Sequence, residues 1–139
     1  VSIDALVDAL KGDEGFRSKP YADAVGKLTI GYGRNLDDNG ISRSEAHDMC
    51  VHDAITALRD AADLVPNWLL LDDVRQNVVA NMAFNLGKTR LAKFVKFLAA
   101  VNARDYLKAA TEMKDSLWYT QVGGRARRLH EEMRTGAVA

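Results

Sequence analysis

The chain has 139 residues, 47% of them apolar and 27% charged, with 19 Lys and Arg set against 19 Asp and Glu. That length fits one domain, and an average composition without low-complexity tracts excludes a disordered chain. The apolar runs fall far short of the roughly 20 residues of a membrane span. No basic-then-apolar signal segment opens the sequence, and a start at Val1 rather than Met points to an excised domain or a processed product. The single cysteine, Cys50, cannot form an internal disulfide, so the fold must hold without one.

Net charge is zero, but residues 1–40, 41–87 and 88–139 carry −2, −4 and +6. A basic last third suits an anionic polymer as partner and equally suits simple solubility.

Ile3, Leu6, Val7 and Leu10 have the spacing of an amphipathic helix with Ser2 as its cap, which Gly12 should weaken. From Phe16 to Ile41, Pro20, four glycines that follow Gly15 (Gly26, Gly31, Gly33 and Gly40) and short β-prone pieces around Tyr21 and Leu28-Thr29-Ile30 predict a small antiparallel sheet. Asn35 to Gly40 reads as a polar turn that ends it; Asp37 and Asp38 there read as solvated residues rather than a cation site.

Ser42-Arg43-Ser44-Glu45 is a capping box. Ala46, Met49, Cys50, Ile55 and Leu58 give a core stripe as far as about Leu64, and Pro66 ends that helix. Asp72 or Asp73 caps a helix that runs to Leu86, with Gly87 just beyond. Helical stretches at about Leu91–Val101 and Ala103–Lys114 lead to Trp118-Tyr119. Gly123-Gly124 then opens a basic helix that closes near Gly136, with His130 on its surface. The fold class is therefore α+β: a small N-terminal antiparallel sheet lobe and a larger helical lobe.

Glu14 lies where helix gives way to sheet, Asp23 follows after eight intervening residues, and Thr29 follows after five more. Glycosidic cleavage needs such a pair of carboxylates, one acid to protonate the leaving oxygen and one base to activate water. By spacing alone, with 19 acidic residues in 139 positions, the pair reads first as chance, Glu14 as a helix-end charge and Asp23 as a turn residue.

Asp13-Glu14-Gly15-Phe16-Arg17, Pro20-Tyr21-Ala22-Asp23 and Gly26-Lys27-Leu28-Thr29-Ile30-Gly31-Tyr32-Gly33 together resemble the phage lysozyme (endolysin) family, glycoside hydrolase family 24. Asn81-Met82-Ala83-Phe84-Asn85-Leu86-Gly87 resembles that family's central helix. Ser116-Leu117-Trp118-Tyr119 and Gly124-Arg125-Ala126-Arg127-Arg128 resemble its C-terminal helices.

The resemblance implies one lysozyme catalytic domain over residues 1–139. Its sheet lobe covers about 13–45, its helical lobe about 65–139 plus the N-terminal helix, and a long helix joins the two. It implies Glu14 as general acid, Asp23 as the carboxylate that positions water, Thr29 as the partner of Asp23, and inversion at the anomeric carbon. Arg125 matches a partner of the catalytic acid; such a pairing favours the carboxylate, whereas an acid needs its proton. Phe84, Asn85 and Trp118 match the sugar-binding positions, where an indole packs on C–H faces and an amide offers donor and acceptor. Both aromatics also read as core residues.

The implied substrate is the β-1,4 bond between N-acetylmuramic acid and N-acetylglucosamine in peptidoglycan, cut without metal or organic cofactor. The implied enzyme is a monomer made in the bacterial host cytoplasm and acting in the periplasm or on the cell wall, without stable membrane insertion. Where the family usually has His after the G-x-G turn, this chain has Arg34, charged throughout the usable pH range.

Other classes find less support. His47, Cys50 and His52 lack the second ligand pair of a structural zinc site. Gly31-Tyr32-Gly33 lacks the third glycine of a dinucleotide fingerprint, and no phosphate-loop or nucleophile-elbow motif occurs. A nucleic-acid-binding helix built on Arg125, Arg127, Arg128 and Arg134 is one rival reading. A catalytically inactive wall-binding domain of the same fold is another.

Overall fold

Ser2 starts the first helix, its Oγ accepting from the Ala5 amide at 3.2 Å. α1 then runs from Ile3 to Glu14 in the computed structural model, which describes residues 2–139. Gly12 does not interrupt it; the helix stops only at Gly15, whose N–H returns to the Lys11 carbonyl. α1 holds no buried residue.

The predicted sheet is present. β1 (Arg17–Ala22), β2 (Leu28–Gly31) and β3 (Arg34–Asn35) form an antiparallel sheet in the order β1-β2-β3, with Tyr21 opposite Thr29 and Thr29 opposite Asn35. The β1–β2 register shifts between Arg17 and Tyr21. Pro20 lies in that stretch, on an edge strand where its missing N–H costs no ladder bond.

The segment read as a polar turn is instead one turn of helix, α2 (Leu36–Asn39). The Asn35 side chain caps it by accepting from the Asp38 amide at 3.0 Å. The aspartates there are engaged: Asp37 Oδ2 accepts from the Leu28 amide at 2.6 Å, and Asp38 Oδ1 meets Lys27 Nζ at 3.0 Å.

α3 (Arg43–Leu64) begins with the capping box the sequence announces. Glu45 Oε1 accepts from the Ser42 amide at 2.9 Å, and Ser42 Oγ accepts from the Glu45 amide at 3.1 Å. Its buried face is not the expected stripe. Ala57 and Ala61, four residues apart, are buried, whereas Met49, Cys50, Ile55 and Leu58 are exposed. Cys50 is thus a surface thiol, not a core residue.

The chain divides between Asp48 and Met49 into two compact units. The second begins within α3 and continues through a 3₁₀ turn (Trp68–Leu70), α4 (Asp73–Leu86), α5 (Lys88–Leu91), α6 (Val95–Asn102), α7 (Tyr106–Lys114), α8 (Leu117–Val122) and α9 (Gly124–Thr135). Side-chain caps start three of these helices: Asp72 for α4, Asp105 for α7 and Ser116 for α8. The stretch read as one helix from Leu91 is broken. The Lys93 and Phe94 amides bond three residues back, to Arg90 and Leu91, which tightens the chain between α5 and α6. Phe97, Met82, Leu91, Met113, Leu129 and Met133 are fully buried and lead the core of this unit. The architecture is α+β, and no helix among the described residues is long and apolar enough to cross a membrane.

Candidate active site

In the first unit, Glu14 ends α1 with its side chain over Gly33. A Cβ added at Gly33 would stand 2.8 Å from both the carboxyl carbon and Oε2 of Glu14, and Gly33 has φ +74°. The positive φ favours glycine there, and any Cβ would push the Glu14 carboxyl from its place.

Asp23 occupies the turn between β1 and β2. Its Oδ1 accepts from the Val25 amide at 3.0 Å and the Lys27 amide at 2.8 Å. Its main chain bonds Lys27 O through the amide at 2.9 Å and Gly26 N through the carbonyl at 3.0 Å. Oδ2 has no hydrogen bond among the described residues. Asp23 is therefore a turn residue and a carboxylate with one free oxygen at once.

Thr29 is 3% exposed, and its Oγ1 donates to Lys27 O at 2.9 Å. Asp23 and Thr29 are tied to the same residue, Lys27, from its two backbone polar groups. Because the Thr29 proton is already placed, the hydroxyl can only accept from anything further.

Arg34 forms a two-pronged pair with Glu45: Nη1 to Oε1 at 2.9 Å and Nη2 to Oε2 at 2.5 Å, with Nη1 also donating to Gly40 O at 3.2 Å. The arginine bonds and the Ser42 amide hold the Glu45 carboxyl down at about 2, from an ordinary 4.5. One carboxylate thereby caps α3 and secures β3.

In the second unit, Phe84 and Asn85 stand exposed near the end of α4, Phe84 at 48%. Trp118 does not present an open ring face. It is 4% exposed within the core, and its Nε1 donates to Asn85 Oδ1 at 2.8 Å. The indole fills the core with its apolar body while its polar edge reaches Asn85. Part of its edge borders a groove of about 570 Å³ with Phe94, Leu117, Arg90 and Lys96.

Arg125, at the start of α9, is held by Asn81, with Nε donating to Asn81 Oδ1 at 2.7 Å and Nη2 to Asn81 O at 3.4 Å. One edge of the guanidinium is thus occupied. Of the other arginines of α9, Arg128 meets Glu132 at 3.5 Å and Arg134 pairs with Glu131, so much of that basic face is neutralised locally. His130 packs edge-on to Tyr119, and partial burial lowers its basicity.

Sequence reasoning missed two residues. Asn81 shows only as a polar residue within the run Val78-Val79-Ala80-Asn81-Met82-Ala83. Glu45 was visible as a cap, but not as the partner of Arg34. Among the described residues, no group of three or more His, Cys, Asp or Glu could hold a metal.

The family model described as phage lysozyme matches residues 11–132. The chain is 30% identical to probable T4-type lysozyme 2 of Dictyostelium discoideum, over 98% of this chain and 97% of that protein. Probable T4-type lysozyme 1 of the same organism is 26% identical over the same shares. The pre-baseplate central spike protein Gp5 of Enterobacteria phage T4 is 32% identical over 95% of this chain, which corresponds to 28% of its own length.

Proposed function

The chain belongs to the phage lysozyme family, and on that premise we propose that it hydrolyses peptidoglycan as an inverting N-acetylmuramidase. The bond cut is the β-1,4 link between N-acetylmuramic acid and N-acetylglucosamine, and residues 1–139 act as one catalytic domain. The observation that carries the reading is the arrangement around Lys27: Asp23 with one free carboxylate oxygen and Thr29 with a hydroxyl that can only accept.

A water donating one proton to each is oriented for attack on the anomeric carbon. Glu14 protonates the departing glycosidic oxygen while Asp23 takes the proton of the attacking water, so one water is added across one C–O bond. Attack on the face opposite the leaving group inverts the configuration. Asn85 and Phe84 contact the glycan. Trp118 acts through Asn85 as a positioning residue, and Arg125, the position that the family resemblance gives as partner of the catalytic acid, has no hydrogen bond at Nη1 among the described residues. Glu14 as proton donor and Asp23 as proton acceptor supply both proton transfers, so the proposed reaction invokes no metal or organic cofactor. The enzyme works as a monomer on glycan strands in the periplasm or at the cell wall.

Digestion of purified peptidoglycan followed by mass and NMR analysis of fresh fragments tests the reading. Muramic acid at every new reducing end, appearing first as the α-anomer, is the expected result. N-acetylglucosamine at the reducing ends would replace the muramidase by a glucosaminidase, a first β-anomer would replace inversion by retention, and no fragments would leave an inactive wall-binding domain.

A further inference from the structure

Asn85 is held by a partner that can only donate. The indole N–H of Trp118 has no acceptor capacity, so the 2.8 Å bond requires the carbonyl oxygen of the Asn85 amide to face the indole. The ambiguity that usually attends amide orientation disappears under such a partner. The Asn85 NH2 group is then the part turned away, it has no hydrogen-bond partner among the described residues, and the residue is exposed. From its side chain alone, an asparagine offers a ligand both donor and acceptor; here the oxygen is turned to the indole and the NH2 is the group presented outward.

Four residues earlier on the same face of α4, Asn81 is fixed in the same sense. Its Oδ1 is engaged by the donor-only guanidinium of Arg125. Helices α8 and α9 thus each take the acceptor of an α4 asparagine.

We propose that Asn85 is a specificity residue that reads the carbonyl oxygen of a glycan N-acetyl group and discriminates against the same sugar bearing a free amine. An N-acetyl carbonyl is an acceptor and complements the outward NH2. A protonated amine is a donor and meets another donor, which leaves both groups without partners. The inference rests on the peptidoglycan reading and names the chemical group the site selects.

Asn85→Asp is the informative substitution because a carboxylate oxygen still accepts from Trp118 while the outward donor becomes an acceptor. Clearing rates are compared for wild type and Asn85→Asp on one peptidoglycan preparation, before and after enzymatic de-N-acetylation. The Trp118 indole N–H resonance reports whether the variant keeps its fold. Wild type is expected to lose about tenfold in kcat/KM on the de-N-acetylated wall, and the variant to shrink that ratio about tenfold. An unchanged ratio in a folded variant overturns the proposal while leaving the hydrolase reading intact; no clearing of either wall by wild type brings down both.

A measurement on wild type alone covers a variant that fails to fold. The Asn85 side-chain NH2 resonances should move on titration with tri-N-acetylchitotriose and stay in place with the glucosamine trimer. Equal shifts with both, or no shift with the acetylated trimer, would refute the inference.

Discussion

Among the described residues, the first unit buries one side chain, Thr29, whereas the second buries 22 apolar ones. The second unit is held as most helical domains are, by removing apolar surface from water, at about 1.5–3 kcal/mol for each large side chain. The first is tied by directed polar contacts: the Asp23 turn, the Asp37 bond to β2, the Asn35 cap and the Arg34–Glu45 pair. The residues proposed for acid–base roles, Glu14 and Asp23, fall in the polar unit, and those proposed to contact glycan, Phe84 and Asn85, in the apolar unit. Under the proposal, chemistry that needs oriented oxygens thus sits where orientation, not burial, sets the local structure.

That contrast can be broken from either side. Thr29→Ala removes the hydroxyl proposed to accept from the attacking water and should lower the clearing rate about 100-fold, while far-UV circular dichroism of the helices stays unchanged. Met82→Ala, at a position with no exposure, should cost about 2–5 kcal/mol in urea unfolding and leave the activity of the molecules still folded near normal.

Gly33→Ala joins stability to chemistry at one position. The positive φ costs roughly 1–2 kcal/mol for an L residue, and the new methyl displaces the Glu14 carboxyl. Clearing should fall about tenfold or more, since small misplacements of reacting groups are costly. Unaltered clearing would show that the Glu14 position over Gly33 is immaterial.

The smallest effect concerns acid. Glu45 titrates at about 2 in the folded protein and at 4.5 ordinarily. The folded value is depressed, so its contribution is fully present above about 4.5 and is lost as pH falls toward and through about 2. Amide resonances of β3 and the start of α3 should broaden over that window in wild type, and Glu45→Gln should show the weakened contact already at pH 6. The buried core of the second unit contains no titrating carboxylate and should not follow the same curve.

What could be read from the sequence was mostly local. The caps at Ser2 and Ser42, the stop at Gly87, and the sheet between Phe16 and Gly33 each depend on neighbours a few residues apart. α2 went unread because its single turn is wound by the Asn35 cap rather than by any apolar period. The break between α5 and α6 carries no proline or glycine to mark it.

The pairs that shape the candidate site are separated by 11 residues for Arg34 and Glu45, 33 for Asn85 and Trp118, and 44 for Asn81 and Arg125. No periodicity connects residues so far apart. Arg34, Asn85, Trp118 and Arg125 stand out by resemblance, but the pairings do not, and the bond between Trp118 and Asn85 makes the indole the group that orients the amide.

The division of labour between the two units is tested most directly by wild type and Glu14→Gln on one peptidoglycan suspension, with mass analysis of what is released. The expected result is fragments ending in muramic acid from wild type and a loss of about 100-fold to 10,000-fold in the variant, with equal binding to the wall. A folded Glu14→Gln that clears at the wild-type rate would contradict it and place the acid elsewhere.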